Sequence, residues 1–156
     1  MVSEDSREPS IYEHAGGEAG LRKIVELFYR SIFEDPVLQP VFRQPVATHV
    51  DHLTAFFSEE FGGPSRYSDE LGGFDRIVAV HRHLRITGEQ RQRFIDLFMA
   101  AVEKAGFAND RRFLATLRSA VEFGTEVARV NSNAKTDAEL FPLKSIPRWR
   151  WEKDQK

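Results

Sequence analysis

The side chains with the widest chemistry in this sequence are its five histidines. They are His14, His49, His52, His81 and His83. His81 ends a short apolar run and shares helical spacing with Phe74, Ile77 and Val78, which puts its imidazole on an apolar face. Such an imidazole is either packed in a core with a nitrogen bonded to backbone, or it presents a neutral nitrogen to a metal. The residues alone leave both interpretations open.

A second imidazole lies on an apolar helix face elsewhere in the chain. The pattern predicts a helix over 46–61, with His49 on its apolar side. The apolar side also carries Val50, Leu53, Phe56, Phe57 and Phe61, whereas Asp51, Ser58 and Glu59 are predicted on the polar side. His52 and His83 fall off the apolar faces and are predicted to be solvated. Two separate helices therefore each direct one histidine inward.

The elements that must position these residues are all predicted to be helical. Amphipathic spacing predicts helices over about 18–33 and 46–61, a helical turn near 36–42, and a long helix from Asp110 to Asn133. Thr87-Gly-Glu-Gln90 is a capping box that starts a further helix ending near Gly106. The segment between the glycine pairs at 62–63 and 72–73, which contains Tyr67, is predicted to be a loop. Strand alternation of any length is missing, so the predicted class is all-α.

Composition favours one ordinary globular domain. The chain has 156 residues, 41% hydrophobic and 29% charged, with a net charge of −2, and a chain of this size buries roughly 70% of its unfolded surface. Near-neutral charge gives no reason to expect nucleic acid or an anionic membrane as partner. We expect a flexible leader over 1–9, a domain over 10–133, and a tail with Pro and Trp over 134–156. Thirteen phenylalanines suit a small aromatic core or the wall of a pocket for a flat apolar ligand.

Several kinds of site are excluded by what the sequence lacks. Without cysteine there is no disulfide, thiolate zinc site, iron–sulfur cluster or C-x-x-C-H haem attachment. A cysteine-free chain without a signal peptide is expected in the cytoplasm. The sequence has no P-loop, dinucleotide-binding glycine fingerprint, H-E-x-x-H or G-x-S-x-G. Nucleotide-phosphate and common hydrolase sites are therefore not predicted.

An ordered set of short motifs resembles the truncated haemoglobins over about residues 10–131. The set is Ile11-Tyr12, Gly16-Gly17, Phe28-Tyr29, Phe42, Phe56-Phe57, Gly62-Gly63-Pro64, Val80-His81 and Ile86. Each motif alone is weak, whereas the whole set in this order is specific. The resemblance implies a globin-like two-over-two helical sandwich around haem b (iron protoporphyrin IX).

The resemblance also implies a role for His81 as the proximal ligand of the haem iron. His83 is a rival in the sequence His-Arg-His, but the steps of five to Ile86 and thirteen to Phe94 match the family only from His81. A single protein histidine is enough to hold a haem iron and leaves the other coordination position for a gas. Long cationic side chains such as Arg82 and Arg85 are candidates to pair with the haem propionates.

On the distal side, the resemblance implies that Tyr29 donates a hydrogen bond and that His49 and Leu53 hold the next positions. A tyrosine hydroxyl or histidine N–H in a dry pocket stabilises the negative charge that dioxygen gains on binding; from the residues alone, Tyr29 can equally be a half-buried ring with a solvated hydroxyl. The implied cofactor-binding set is Tyr29, Phe42, His49, Leu53, Phe57, His81, Ile86 and Phe94. Phe94 stands where the second group of the family usually has a tryptophan, so one distal donor is missing. Pro147-Arg-Trp-Arg-Trp151 resembles a tail found in an actinobacterial branch near that group.

The expected function is binding of dioxygen or another diatomic gas, such as NO or CO, at a haem iron. Redox turnover of oxygen, NO or peroxide, of the NO dioxygenase or peroxidase kind, would also need a reductase that the sequence does not identify. The oligomeric state is left open.

Two alternatives belong to other classes. In one, His49, His52, His81 and His83 gather on a single non-haem metal ion, since residues three apart on a helix can share a face. In the other, the chain is a helical interaction module that uses its Trp-containing tail.

Overall fold

The computed structural model describes residues 8–42 and 46–153, with Val46 described by its backbone alone. These residues form seven α-helices: α1 (Ile11–His14), α2 (Gly17–Glu34), α3 (Val46–Glu60), α4 (Arg66–Glu70), α5 (Gly73–His81), α6 (Gly88–Val102) and α7 (Arg111–Asn133). Short 3₁₀ turns cover Gln39–Val41 and Asp137–Glu139, and a π turn follows α6 at Glu103–Phe107. The described ranges contain no strand, so the all-α prediction is confirmed.

The helices pack as two pairs. α2 packs on α3, α6 packs on α7, and contact between α2 and α6 joins the pairs. Phenylalanines fill the junction, with Phe28, Phe61, Phe98 and Phe113 no more than 1% exposed. This arrangement is the two-over-two sandwich expected from the resemblance, with α5 set apart on α4 and α7.

The start of α6 is fixed by the predicted capping box. The Thr87 hydroxyl accepts from the Gln90 amide at 3.0 Å, and the Gln90 side chain accepts from the Thr87 amide at 3.0 Å. Both bonds satisfy amides that a helix start leaves without partners. The box sets the register in which α6 presents Phe94.

Two predictions about the α3 region are wrong. Tyr67 lies in the short helix α4 rather than in a loop, and it is 5% exposed. Ser58 and Glu59, predicted on the polar side of α3, are 5% and 4% exposed. The cause is tertiary: α4 covers this side of α3, and Glu59 accepts from the amide of Ser68 at 2.8 Å and from its hydroxyl.

The segment after α7 folds back on the helices. The Trp149 amide donates to the Glu60 carbonyl at 2.7 Å, and the Trp151 indole donates to the Pro9 carbonyl at 2.9 Å. Both tryptophans are half-buried against the main core, so in this structure the tail packs on its own domain. Residues 1–7 of the predicted leader and 154–156 of the tail lie outside the described residues, and the domain boundaries stay predictions.

Candidate functional site

A cavity of about 690 Å³ lies among helices α2 to α7 and the tail. That volume is within the usual range for cofactor pockets. All eight residues of the predicted cofactor-binding set line it: Tyr29, Phe42, His49, Leu53, Phe57, His81, Ile86 and Phe94. The structure therefore brings the whole set together on one cavity.

His81 is the last residue of α5, and its ring is held in one tautomer by backbone. Its Nδ1 lies 2.8 Å from the carbonyl oxygen of Ile77, four residues earlier. A carbonyl only accepts, so Nδ1 carries the proton and donates. In the neutral ring Nε2 then keeps a free lone pair, and it has no hydrogen-bond partner among the described residues.

The neutral form of His81 is also favoured by its surroundings. Burial lowers the pKa of the imidazole below its ordinary value, although the bond to the Ile77 carbonyl acts in the opposite direction. Both interpretations of the isolated sequence thus hold for one ring: Nδ1 is bonded to backbone, and Nε2 is available to a metal. The rival His83 also lines the cavity, but it is exposed and lies past the helix at a φ of 69°.

Tyr29, Phe42 and His49 form an aromatic group on the cavity wall. The ring centroids of Tyr29 and His49 are 5.5 Å apart, and Phe42 is 5.7 Å from each of them. Phe94 extends the group at 6.4 Å from Phe42. Side chains from α2, α3 and α6 and from the segment before α3 therefore meet at one place.

Two polar groups in this wall have no protein partner. Nε2 of His49 is buried without a hydrogen bond, and among the described residues the Tyr29 hydroxyl forms none either. Burial raises the pKa of Tyr29 well above its ordinary value, so the phenol keeps its proton. Burial, and then the nearby His52, lower the pKa of His49. Buried polar groups without partners are uncommon in native proteins, and both of these border a cavity that a ligand can fill.

His52 is only partly in accord with its prediction. It is half-buried, lines the cavity and lies edge-on to Tyr67 at 6.4 Å. The solvated interpretation therefore holds only in part for His52, because α4 covers its side of α3. The same interpretation is confirmed for His83, which is exposed.

The cationic side chains at the cavity differ from those first considered. Arg82 is directed away, with bonds to the Ala134 carbonyl at 3.2 Å and to Asp137 at 3.1 Å. Arg85 does not line the cavity, whereas Arg76 and Arg91 do.

Glu60 is the one acidic residue among the described residues that line the cavity, and sequence reasoning did not predict it. Glu60, the last residue of α3, is 2% exposed and lines the cavity. It lies seven residues after Leu53 and three after Phe57, so it continues the apolar stripe of α3. That spacing was the available signal, but a carboxylate at the end of a helix is usually solvated.

The non-haem alternative fails on geometry. Among residues 8–42 and 46–153, no three His, Cys, Asp or Glu side chains are grouped to hold a metal ion. A flat macrocycle with one axial ligand fits better, because the cavity offers aromatic walls, one backbone-oriented imidazole and the unpartnered His49 nitrogen. The same described ranges contain no helix long and apolar enough to cross a membrane.

Comparison with known proteins identifies the family. The family model described as bacterial-like globin matches residues 10–122. The chain belongs to the bacterial-like globin family. A group 2 truncated haemoglobin of Bacillus subtilis is 27% identical over 99 residues, which are 63% of this chain and 74% of that protein.

Solved structures agree with this assignment. A haemoglobin of the thermophilic phototrophic bacterium Chloroflexus aurantiacus is 29% identical with a TM-score of 0.69, covering 78% of this chain and 98% of that one. A thermostable haemoglobin of the actinobacterium Thermobifida fusca is 26% identical with a TM-score of 0.68, covering 77% and 96%. The protein is thus a truncated haemoglobin nearest to group II, its cofactor is haem b, and its general activity is ligand binding at haem.

Proposed function

We propose that this truncated globin binds dioxygen and other diatomic gases, including NO and CO, at a haem iron held by His81. The observation that carries the proposal is the Nδ1–H bond from His81 to the Ile77 carbonyl, which leaves Nε2 free beside the cavity. His81 is thereby oriented before any cofactor binds. Histidines that ligate metals commonly have their second nitrogen bonded in this way, and the bond increases the basicity of the ligating nitrogen.

The other cavity residues fit the same function. When bound, haem supplies an iron with one coordination position open to a small ligand. Tyr29, kept protonated by burial, donates a hydrogen bond to a ligand that gains negative charge. His49 supplies a second polar nitrogen. Phe42, Phe57 and Phe94 exclude water, which strengthens these interactions.

Positive charge at the cavity suits the carboxylates of the cofactor. Arg76 and Arg91 line the cavity together with His83. We assign the haem propionates to Arg76. Arg91 is engaged by Thr125 and the Glu122 carbonyl, and Arg82 is bonded to Asp137 and the Ala134 carbonyl.

The test is the oxygen dissociation rate of the reduced protein. Tyr29→Phe removes one hydrogen bond to a charged acceptor, which is worth about 1.5–3 kcal/mol. Oxygen dissociation should therefore be faster by about tenfold to a hundredfold. His49→Leu should accelerate it less, because Tyr29 remains.

Carbon monoxide is the matched control ligand. It develops little charge on its outer atom, so its dissociation rate should change less than that of oxygen in Tyr29→Phe. Equal oxygen dissociation rates in wild type and Tyr29→Phe would remove Tyr29 from the proposed site. Redox turnover, a reductase partner and a cytoplasmic location stay predictions.

A further inference from the structure

Glu60 is a buried acidic residue of the pocket whose carboxyl group has no ion-pair partner among the described residues. It ends α3, is 2% exposed and lines the same cavity as His81. Its backbone carbonyl accepts a hydrogen bond from the Trp149 amide at 2.7 Å. Its carboxyl group forms no hydrogen bond or ion pair within the described residues.

The surroundings of this carboxyl favour its neutral form. Burial alone raises the pKa of Glu60 to about 8, with no contribution from a charged neighbour. α7 and the tail present apolar groups to the cavity, among them Ala120, Val121, Phe123 and Pro147. The carboxyl is therefore protonated at neutral pH as long as no positive charge lies beside it.

Other titratable groups face the same cavity from the remaining elements. α2 contributes Tyr29, α3 contributes His49 and His52, and α4 contributes Tyr67. α5 and the segment after it contribute Arg76, His81 and His83, and α6 contributes Arg91. Glu60 is the one carboxyl group among the described residues that line this cavity.

We propose that Glu60 is a redox-linked proton acceptor, which takes up one proton from water when the haem iron in the same pocket accepts one electron. The inference depends on the proposed haem site. In the balanced step, a one-electron donor reduces ferric iron to ferrous iron, and the Glu60 carboxylate with one solvent proton becomes the carboxylic acid. The new O–H bond replaces one O–H bond of a hydronium ion, which leaves as water, and the donor is oxidised by one electron.

The physical reason is the change of charge in a medium of low dielectric constant. Ferric haem has one more positive charge than ferrous haem, and that charge favours the carboxylate form of Glu60. Reduction removes the charge, and burial then favours the acid. Between the pKa values of Glu60 in the two oxidation states, reduction is therefore accompanied by proton uptake.

As a consequence, the midpoint potential of the haem iron should fall as pH rises through the window between these two pKa values. With one proton per electron, each tenfold decrease in proton concentration lowers the potential by at most about 59 mV. Below the window the acid is protonated in both oxidation states, and above it the carboxylate is present in both. The potential should level off on either side.

The experiment is a potentiometric titration of the holoprotein from pH 5 to pH 9. We expect Glu60→Gln to lose most of the slope that wild type shows below about pH 8, because an amide does not titrate. The matched control is Glu59→Gln, which removes an adjacent buried carboxyl that bonds Ser68 and does not line the cavity. It should keep the wild-type slope.

A second measurement reports the proton directly. At a pH inside the window, reduced-minus-oxidised infrared spectra of wild type should gain the carbonyl stretch of a protonated carboxyl group, and Glu60→Gln should not. The inference would be overturned if the midpoint potential has the same slope against pH in wild type and Glu60→Gln, or if the wild-type spectrum lacks this band. If Glu60→Gln does not fold, the wild-type band and its shift in D₂O still decide. A protein that never binds haem would instead overturn the proposed function.

Discussion

At the scale of single residues, burial has opposite effects on the two main acid–base groups of the pocket. It lowers the pKa of the His81 imidazole and raises that of the Glu60 carboxyl to about 8. Both groups are thus neutral at pH 7 in the reduced protein, which avoids the large cost of a buried charge without a partner.

The raised pKa of Glu60 predicts how stability depends on pH. Its folded pKa of about 8 is above the ordinary value of 4.5, so the folded state binds more protons than the unfolded state between these values. The stabilising contribution is complete below about pH 4.5 and is lost as pH rises towards 8. From pH 5.5 to 7.5 this effect should cost wild type about 2 kcal/mol of unfolding free energy.

The measurement is chemical denaturation of the reduced protein at both pH values. The unfolding free energy of Glu60→Gln minus that of wild type should be larger at pH 7.5 than at pH 5.5. Glu60→Asp keeps the acid and should retain the pH dependence. If wild type and Glu60→Gln change in parallel across this range, Glu60 is ionised in the folded protein and its assigned protonation is wrong.

At the scale of elements, the tail after α7 completes the wall of the pocket. Leu143 and Pro147 line the cavity, and the Trp149 amide bonds the carbonyl at the end of α3. The ring of Trp149 lies 5.7 Å from that of Phe123 on α7. The tail therefore connects α3 and α7, which both line the cavity.

Shortening Trp149 should weaken both the fold and cofactor retention. Trp149→Ala removes a half-buried ring, and we expect a loss of about 2 kcal/mol in unfolding free energy. Haem transfer to an excess of an acceptor globin should also become faster, because the inner wall loosens. Trp149→Phe keeps an aromatic contact to Phe123 and serves as the control. Unchanged stability and haem transfer in Trp149→Ala would show that the tail is an accessory segment.

At the scale of the whole molecule, local periodicity predicted the long helices, whereas the set of eight cavity residues was implied by the resemblance to truncated haemoglobins. Tyr29, His49 and His81 each lie on the apolar stripe of their own helix, and stripes of packed helices face a common interior. These features needed no knowledge of distant contacts.

The errors arose where distant segments decide burial. Ser58, Glu59 and Glu60 are polar in type, but α4 and the tail cover the end of α3. α4 has five residues, too few for a periodic pattern, and the glycine pairs beside it favoured a loop. His52 became half-buried for the same reason, and Arg82 was engaged by Asp137, 55 residues away.

The most direct test of the central claim compares haem binding by His81→Ala and His83→Ala with that of wild type. Ferric, ferrous and carbon monoxide absorption spectra, recorded during titration with haem, report stoichiometry and axial ligation together. We predict that His83→Ala binds one haem per chain with wild-type spectra, and that His81→Ala loses or strongly weakens binding and regains it with added imidazole. Wild-type spectra from His81→Ala, or loss of haem from His83→Ala alone, would contradict the account.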